Sequence, residues 1–199
     1  MKILIACEQS GVVREAFIQK GHDAISCDLM DSDIHGPHYK GDVRDILNDN
    51  WDLIIAHPPC TFLAVSGARW LYDSRYPNRK RDQDEALEFV KLLMSAKADK
   101  IAIENPIGCI SSRIRKPDQI IKPYQFGEDA TKSTCLWLKN LSRLKPTNII
   151  VPSIHISKSG RSYDSWWFKS SLIRDPEERR KFRSKTFTGV ACAMADQWG

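Results

Sequence analysis

The sequence predicts an α/β fold built on a doubly wound, mostly parallel sheet, and three observations predict it. Apolar runs of strand length alternate along the chain with segments of helical periodicity. The runs are continuously apolar, as strands covered on both faces are. Polar and reactive residues collect where those runs end, at Cys7-Glu8, Asp28, His57 to Cys60 and Glu104-Asn105. In open α/β sheets the ligand sits beyond those carboxyl ends.

"KILIAC" (residues 2–7) gives the first strand, and "SGVVREAFIQKG" carries Val12, Val13, Ala16 and Phe17 at helical spacing up to Gly21. "DAISCDL" (23–29) is a second strand. A polar loop with His35, Gly36, Pro37 and His38 follows, then "YKGDVRDI". "WDLIIAHP" (51–58) is the clearest buried strand, and it runs into Pro58, Pro59 and Cys60. Two prolines offer no N–H to a ladder, so they end the strand and stiffen the turn that presents the cysteine. Asp82 with Glu85 suggests a capping box ahead of a helix whose apolar face is Ala86, Phe89, Val90, Leu93 and Met94. "KIAIENP" (100–106), closed by Pro106, and "STCLWL" (133–138) complete the set of strands. The chain has no internal repeat and no low-complexity tract.

At 199 residues the chain is expected to form one domain, or a domain with an elaborate insertion, with a sizeable core. Its hydrophobic content of 42% and charged content of 28% are those of an ordinary globular protein. No apolar run approaches the roughly 20 residues of a membrane span. "MKILIAC" enters a strand-like run without a signal-peptide pattern, so a cytoplasmic protein is expected. Six cysteines without a C-x-x-C pair argue against a zinc ribbon or a disulfide framework, and most are expected to be reduced, buried bystanders. His35 and His38 fit a loop better than a metal site, so no metal is expected. The formal charge of +5 is uneven: residues 139–185 hold twelve Lys/Arg and four Asp/Glu, and the remainder is net −3. That asymmetry suggests a polyanion contact in one region.

An acid at the end of the second strand holds ribose hydroxyls in nucleotide-binding sheets, and Asp28 stands there. The first turn, "CEQSGVV", lacks the G-x-G-x-x-G pyrophosphate cradle, so a nucleoside cofactor without phosphates suits it, and S-adenosylmethionine is one. The ordered set "ACEQSG", "CDL", "GDVRDI", "HPPCT" and "ENP" resembles the cytosine-5 DNA methyltransferases over about residues 1–138. The whole sequence is also similar to small phage and prophage proteins of that kind. "TFTGVACAMA" resembles the family's last motif, which folds back on the cofactor pocket.

The resemblance implies a Rossmann-like, S-adenosylmethionine-dependent methyltransferase fold. It implies a catalytic and cofactor-binding core over 1–138, a short basic insert over 139–185 in place of a target-recognition domain, and a C-terminal segment, 186–199, returning to the cofactor pocket. By resemblance Cys60 is the nucleophile that adds to carbon 6 of cytosine and makes carbon 5 enamine-like. Glu104 would hold the ring at nitrogen 3 and the exocyclic amine, and Asn105 would brace the Pro58-Pro59-Cys60 turn. Cys7, Glu8, Ser10, Gly11, Val12, Asp28, Leu29, Asp42, Val43, His57 and Pro58 would line the cofactor site, Asp28 on the ribose and Asp42 on the adenine amine. Pro59, Thr61, Lys132, Arg113, Arg115, Arg161, Arg179 and Arg180 are the candidate substrate contacts. A base inside a duplex would have to be flipped out to reach them.

The insert contains Trp166, Trp167 and Phe168, which can stack bases beside phosphate-holding arginines or form a small core of their own. The expected partner is DNA, duplex or single-stranded, or a free cytosine nucleotide. The alternative is a nucleic-acid- or partner-binding module that kept the fold without turnover, although Cys60 and Glu104 favour an enzyme. An amino-methyltransferase usually needs an aromatic after Pro-Pro, where Cys60 stands instead.

Overall fold

The computed structural model describes residues 1–157 and 159–199. Its centre is a seven-stranded sheet: β1 (Lys2–Ala6), β2 (Asp23–Asp28), β3 (His38–Lys40), β4 (Leu53–Ala56), β5 (Lys100–Pro106), β6 (Gln119–Ile121) and β7 (Thr134–Lys139). The order is β3-β2-β1-β4-β5-β7-β6, with β7 alone reversed against its neighbours β5 and β6. This is a doubly wound, mostly parallel, Rossmann-like arrangement. The three-residue strands β3 and β6 are too short to show a period, which is why periodicity does not disclose them. His38 belongs to β3 and not to a loop; its ring nitrogens meet Ser26 Oγ and the Met30 carbonyl at 2.9 Å each.

The continuous apolar runs follow from burial on both faces. In β1, Ile3 and Ile5 face one core while Leu4 and Ala6 face the other. β4 divides in the same way, Leu53 and Ile55 against Ile54 and Ala56. The first core is covered by α1 (Val12–Gln19) through Val13 and Phe17, and by α6 (Thr188–Trp198) through Met194 and Trp198. The second is covered by α2 (Arg79–Met94).

Helix α2 starts a turn earlier than the sequence suggests, after Asn78, so Asp82 and Glu85 lie inside it and form no capping box. The stretch "RKRDQDE" is rich in good helix formers, which carries the helix upstream of its apolar stripe. Leu87, Val90 and Leu93 are its buried apolar residues, while Ala86, Phe89 and Met94 pack half-buried beside them.

Past β7 the chain runs through an extended stretch into a ribbon of β8 (Ile154–Ile156) and β9 (Ser162–Asp164), then α4 (Ser165–Leu172) and α5 (Pro176–Ser184). Asp164 fastens this segment to the sheet. It caps α4 through the Trp167 N–H at 2.7 Å and accepts from both the N–H and the hydroxyl of Thr131. Among the described residues no helix is long and apolar enough to cross a membrane, and no group of three or more His, Cys, Asp or Glu is placed to hold a metal ion. All six cysteines are free. Only Cys27 and Cys135 are fully buried, whereas Cys60 and Cys192 are exposed.

Helix α6 is seated so closely that its first turn has no room for a side chain. A Cβ on Gly189 would lie 1.9 Å from the Phe126 carbonyl oxygen. Gly→Ala in an open helix stabilises by about 1 kcal/mol. Gly189→Ala should instead destabilise the protein by about 1–3 kcal/mol, as overpacked sites do, read as a lower urea midpoint at unchanged slope.

Candidate active site

The β1–α1 turn builds one wall of the site. Cys7 has a positive φ of 59°, which turns Glu8 under the amino terminus of α1. The buried Glu8 carboxylate accepts from the Val13 N–H at 2.7 Å, the Arg14 N–H at 3.2 Å and Ser10 Oγ at 3.1 Å. It satisfies donors that a helix start leaves open and complements the helix dipole. Glu8 therefore serves the turn itself and has little left for a cofactor. Gly11 has φ +71°, and a Cβ there would stand 2.9 Å from the Arg14 guanidinium. Arg14 is fully buried and ties down the loop between β2 and β3 through Ser26 Oγ, Ser32 Oγ and the Ile34 carbonyl.

Beyond the ends of β1 and β2 lie two adjoining clefts that share Cys7, Asp28, Leu29 and Pro59. The first, of about 230 Å³, is walled by Leu29, Val43, Pro59 and Phe89 with Asp28 and Asp42 at its polar side. The second, of about 380 Å³, is bounded by Glu8, Gln9, Ser10, His57 and, from α5, Arg180 and Lys181. Asp28 gives one oxygen to the Met30 N–H at 3.0 Å, and a carboxylate keeps further lone pairs for a diol. Asp42 is more committed. It caps the short turn Val43–Asp45 through the Arg44 N–H and pairs with the Arg44 guanidinium, both at 2.9 Å. Val12 and Pro58 are buried behind these walls. Burial and the nearby Asp28 push the Cys7 thiol up to about 12, so it stays protonated.

The centre of the site comes from the register of β4 on β5. Ala56 pairs with Ile103, so the next residues out, His57 with Glu104 and Pro58 with Asn105, stand side by side. Asn105, itself buried, donates from Nδ2 to the Pro58 carbonyl at 2.7 Å and so fixes the turn that carries Cys60. His57 Nδ1 lies 3.0 Å from Glu104 Oε2, the side chains being 10% and 18% exposed. Burial alone would lower the His57 pKa, but the hydrogen bond and charge of Glu104 outweigh it and the net shift is upward. Burial would raise the Glu104 pKa, but the His57 hydrogen bond and charge, with the Lys132 charge, hold it below the usual carboxylate value. Both shifts favour the ionic form of the pair, imidazolium against carboxylate. Among the described residues, His57 Nε2 and Asn105 Oδ1 are the buried side-chain polar atoms without a partner. Such a group costs about 1–3 kcal/mol when left unmade, so it marks a place where a ligand can repay the cost.

Cys60 is exposed on the far side of Pro59 and opens on a separate pocket of about 500 Å³. Its other walls include Pro106, Thr131, Lys132, Tyr163, Trp166, Trp167 and Arg183. Crowding by those walls raises the thiol pKa, the Lys132 charge lowers it, and Glu104 adds to the rise. Lys132 sits 5.5 Å from the Trp166 ring and donates to the Arg183 carbonyl, while the Arg183 guanidinium lies 4.3 Å over the Trp167 ring. Trp166 also stacks on Phe182 at 5.7 Å, and Phe168 on His155 at 4.3 Å. The aromatics of the insert thus stack on neighbouring rings without forming a buried core, Trp166 being half-buried and Trp167 and Phe168 exposed, and Trp166 and Trp167 line the pocket.

Several expected substrate contacts are not brought to this pocket. Arg113 pairs with Asp84 on α2 at 3.0 Å. Arg115 pairs with Asp118 at 2.8 Å and lies beside Lys139 and Asn140, at the amino-terminal end of the parallel strands. Arg179 turns inward and caps the Ile173 carbonyl. Arg180 stands on the second of the two clefts beyond β1 and β2, Pro59 lines that cleft too, and Thr61 is exposed with its carbonyl held by Arg79 at 2.9 Å. Arg161 is exposed beside the β8–β9 turn. Arg183, which the sequence does not single out, takes the place expected of Arg179 and Arg180. The return of α5 sets its position, and nothing local in the sequence announces it.

No family model matches the chain, and no curated protein matches it. Solved structures do match. One is described as a DNA modification methyltransferase encoded within a prophage (E. coli), at 14% identity and a TM-score of 0.46, over 74% of this chain and 51% of that one. This chain spans about half the length of that protein. At such identity no residue role passes from it to the site described above.

The ion pair at the centre carries a pH signature. Glu104 has a depressed pKa, so its share of stability is present above the ordinary glutamate value of 4.5 and is lost as pH falls through the folded value. His57 has a raised one, so its share is present below 6.5 and is lost as pH rises through the folded value. In a double-mutant cycle of His57→Asn and Glu104→Gln, the coupling from urea denaturation should be largest between pH 4.5 and 6.5 and decline on either side.

Proposed function

We propose that the chain transfers a methyl group from S-adenosylmethionine to carbon 5 of cytosine in DNA, with Cys60 as the nucleophile. The observation that carries this reading is the convergence of an exposed thiol and a buried carboxylate at the ends of adjacent strands β4 and β5. Asn105 locks the turn between them. A thiol can activate a pyrimidine by adding to carbon 6, and an acid beside it can take up the charge that develops on nitrogen 3. Neither group is needed by a module that only binds.

The clefts on the other side of Pro59 suit a nucleoside cofactor. Leu29, Val43 and Phe89 offer apolar walls for a purine, and Asp28 offers a carboxylate for ribose hydroxyls. The single-glycine turn uses its N–H groups on Glu8, so a pyrophosphate would find no cradle there. S-adenosylmethionine, when bound, supplies an electrophilic methyl group on a sulfonium. The chain's own residues do the rest: Asp28 orients, Pro58 and Pro59 separate the cofactor side from the thiol side, and Cys60 with Glu104 makes carbon 5 nucleophilic.

DNA is favoured as the substrate by the cationic and aromatic wall of the thiol pocket. Trp166 and Trp167 can stack an extruded base, and Lys132 and Arg183 can meet its flanking phosphates.

The test uses purified protein, methyl-labelled S-adenosylmethionine and three substrates: duplex DNA, single-stranded DNA and dCMP. Digestion to nucleosides should show label at carbon 5 of cytosine in DNA, and Cys60→Ala should lower it by about a thousandfold or more. Label on the exocyclic amine, or undiminished transfer by Cys60→Ala, would remove the thiol from the mechanism. Transfer to dCMP alone would make the substrate a free nucleotide. Arg183→Ala should weaken DNA binding and flatten its salt dependence, and Arg179→Ala should leave both near wild type.

A further inference from the structure

The acid that the cytosine reading needs is already engaged. Glu104 is held as a carboxylate against His57, yet nitrogen 3 must receive a proton when the thiolate adds to carbon 6. An ionised carboxylate has none to give. We propose that His57 is a positioning residue that supplies this proton through Glu104, from Nδ1 to Oε2 across their 3.0 Å contact. The inference rests on the cytosine reading and adds a residue to its chemistry.

Three features of the site support it. The register of β4 on β5 holds the two side chains together, so the contact is built into the sheet. His57 lines the cleft on the other side of Pro59 and meets Glu104 behind the thiol pocket, whose walls include neither of them. Its Nε2 is buried without a partner, which leaves the imidazolium tied at one nitrogen only. The charges facing it are Glu104 on β5, Glu8 in the turn after β1 and Lys132 ahead of β7. The two carboxylates favour the protonated ring and the lysine opposes it.

The step balances. The Cys60 thiolate forms a bond to carbon 6, the C5=C6 pair moves to C4=C5, and the C4=N3 pair comes to rest on nitrogen 3. Nitrogen 3 takes a proton from Glu104, and Glu104 takes the Nδ1 proton of His57, which becomes neutral. Carbon 5 then takes the methyl with the C4=C5 pair while the nitrogen 3 pair re-forms C4=N3, and the bond to the sulfonium breaks to leave a neutral thioether. Loss of the carbon 5 proton to water and departure of the thiolate re-form the aromatic ring. The nitrogen 3 proton then returns through Glu104 to His57.

A relay predicts a pH profile that a packing role does not. The reaction needs a thiolate and a protonated His57 together, and these demands oppose each other as pH rises. The single-turnover rate of the wild type should therefore climb below the His57 pKa, level off above it, and fall beyond the thiol pKa. In His57→Asn water has to supply the nitrogen 3 proton and only the thiol titrates, so the rate should be lower by about 10–100-fold and keep rising, about tenfold per pH unit, toward the thiol pKa. His57→Gln serves as the second variant, and circular dichroism checks that both fold.

A His57→Asn profile with the wild-type plateau, or a wild-type rate in both variants, overturns the relay. A wild type that transfers no methyl to any cytosine substrate overturns the function proposed above, and the two failures are distinct. An arm independent of turnover follows His57 by nitrogen-15 NMR. Its titration midpoint should drop to lower pH in Glu104→Gln, and an unmoved midpoint also overturns the relay.

Discussion

The parallel register of β4 on β5 is the constraint on which the rest of the site depends. Pairing Ala56 with Ile103 sets two further side-by-side positions beyond the β4–β5 ladder, where Glu104 and Asn105 remain paired with β7 on their other side. One position joins His57 to Glu104, and the other joins the Pro58 carbonyl to the Asn105 amide. A slip of one residue would separate both pairs and turn Asn105 to the opposite face. The slip is prevented by the same burial that makes the strands apolar, since Ile54 and Ile103 fill one core while Leu53, Ile55 and Ala102 fill the other. Packing over the whole sheet thus holds a few polar atoms in place at its edge.

Electrostatics at that edge is set by burial. A carboxylate and an imidazole in contact and largely out of water favour the ionic pair over two neutral groups, because the partner's charge outweighs desolvation. Cys60 lies in a different environment a few residues on. It is exposed, yet crowded by pocket walls that raise its thiol, with Lys132 pulling the other way. The other cysteine near the site, Cys7, is locked as a thiol by burial next to Asp28. One strand end therefore carries an exposed thiol and the neighbouring strand end one held protonated by burial, although the two residue types are identical.

The insert after β7 spends much of its positive charge on its own architecture. Arg179 caps a carbonyl, Arg180 borders the cofactor-side cleft, and Arg183 stacks on Trp167 while bonding Ser170 Oγ at 2.8 Å. The cationic side chains among the walls of the thiol pocket are Lys132 and Arg183.

The sequence by itself determined the layer architecture, since continuous apolar runs between helical periods can be buried only in a sheet covered on both faces. It also located the polar residues at the strand ends, and the His57–Glu104 pair was legible in principle, each being the first polar residue after its apolar run. Short strands such as β3 and β6, the early start of α2 and the reversal of β7 were not legible, because a three-residue segment has no period and charged helix formers conceal a helix boundary. The tertiary structure alone decided which arginines reach the thiol. Arg113, Arg115 and Arg179 fit the sequence pattern as well as Arg183 does. Their direction depends on how α5 and the β8–β9 ribbon fold back, through contacts such as Thr131 with Asp164 that lie 33 residues apart in the chain. A long flexible side chain carries no local record of where its charge will come to rest; the packing of the segments around it fixes that.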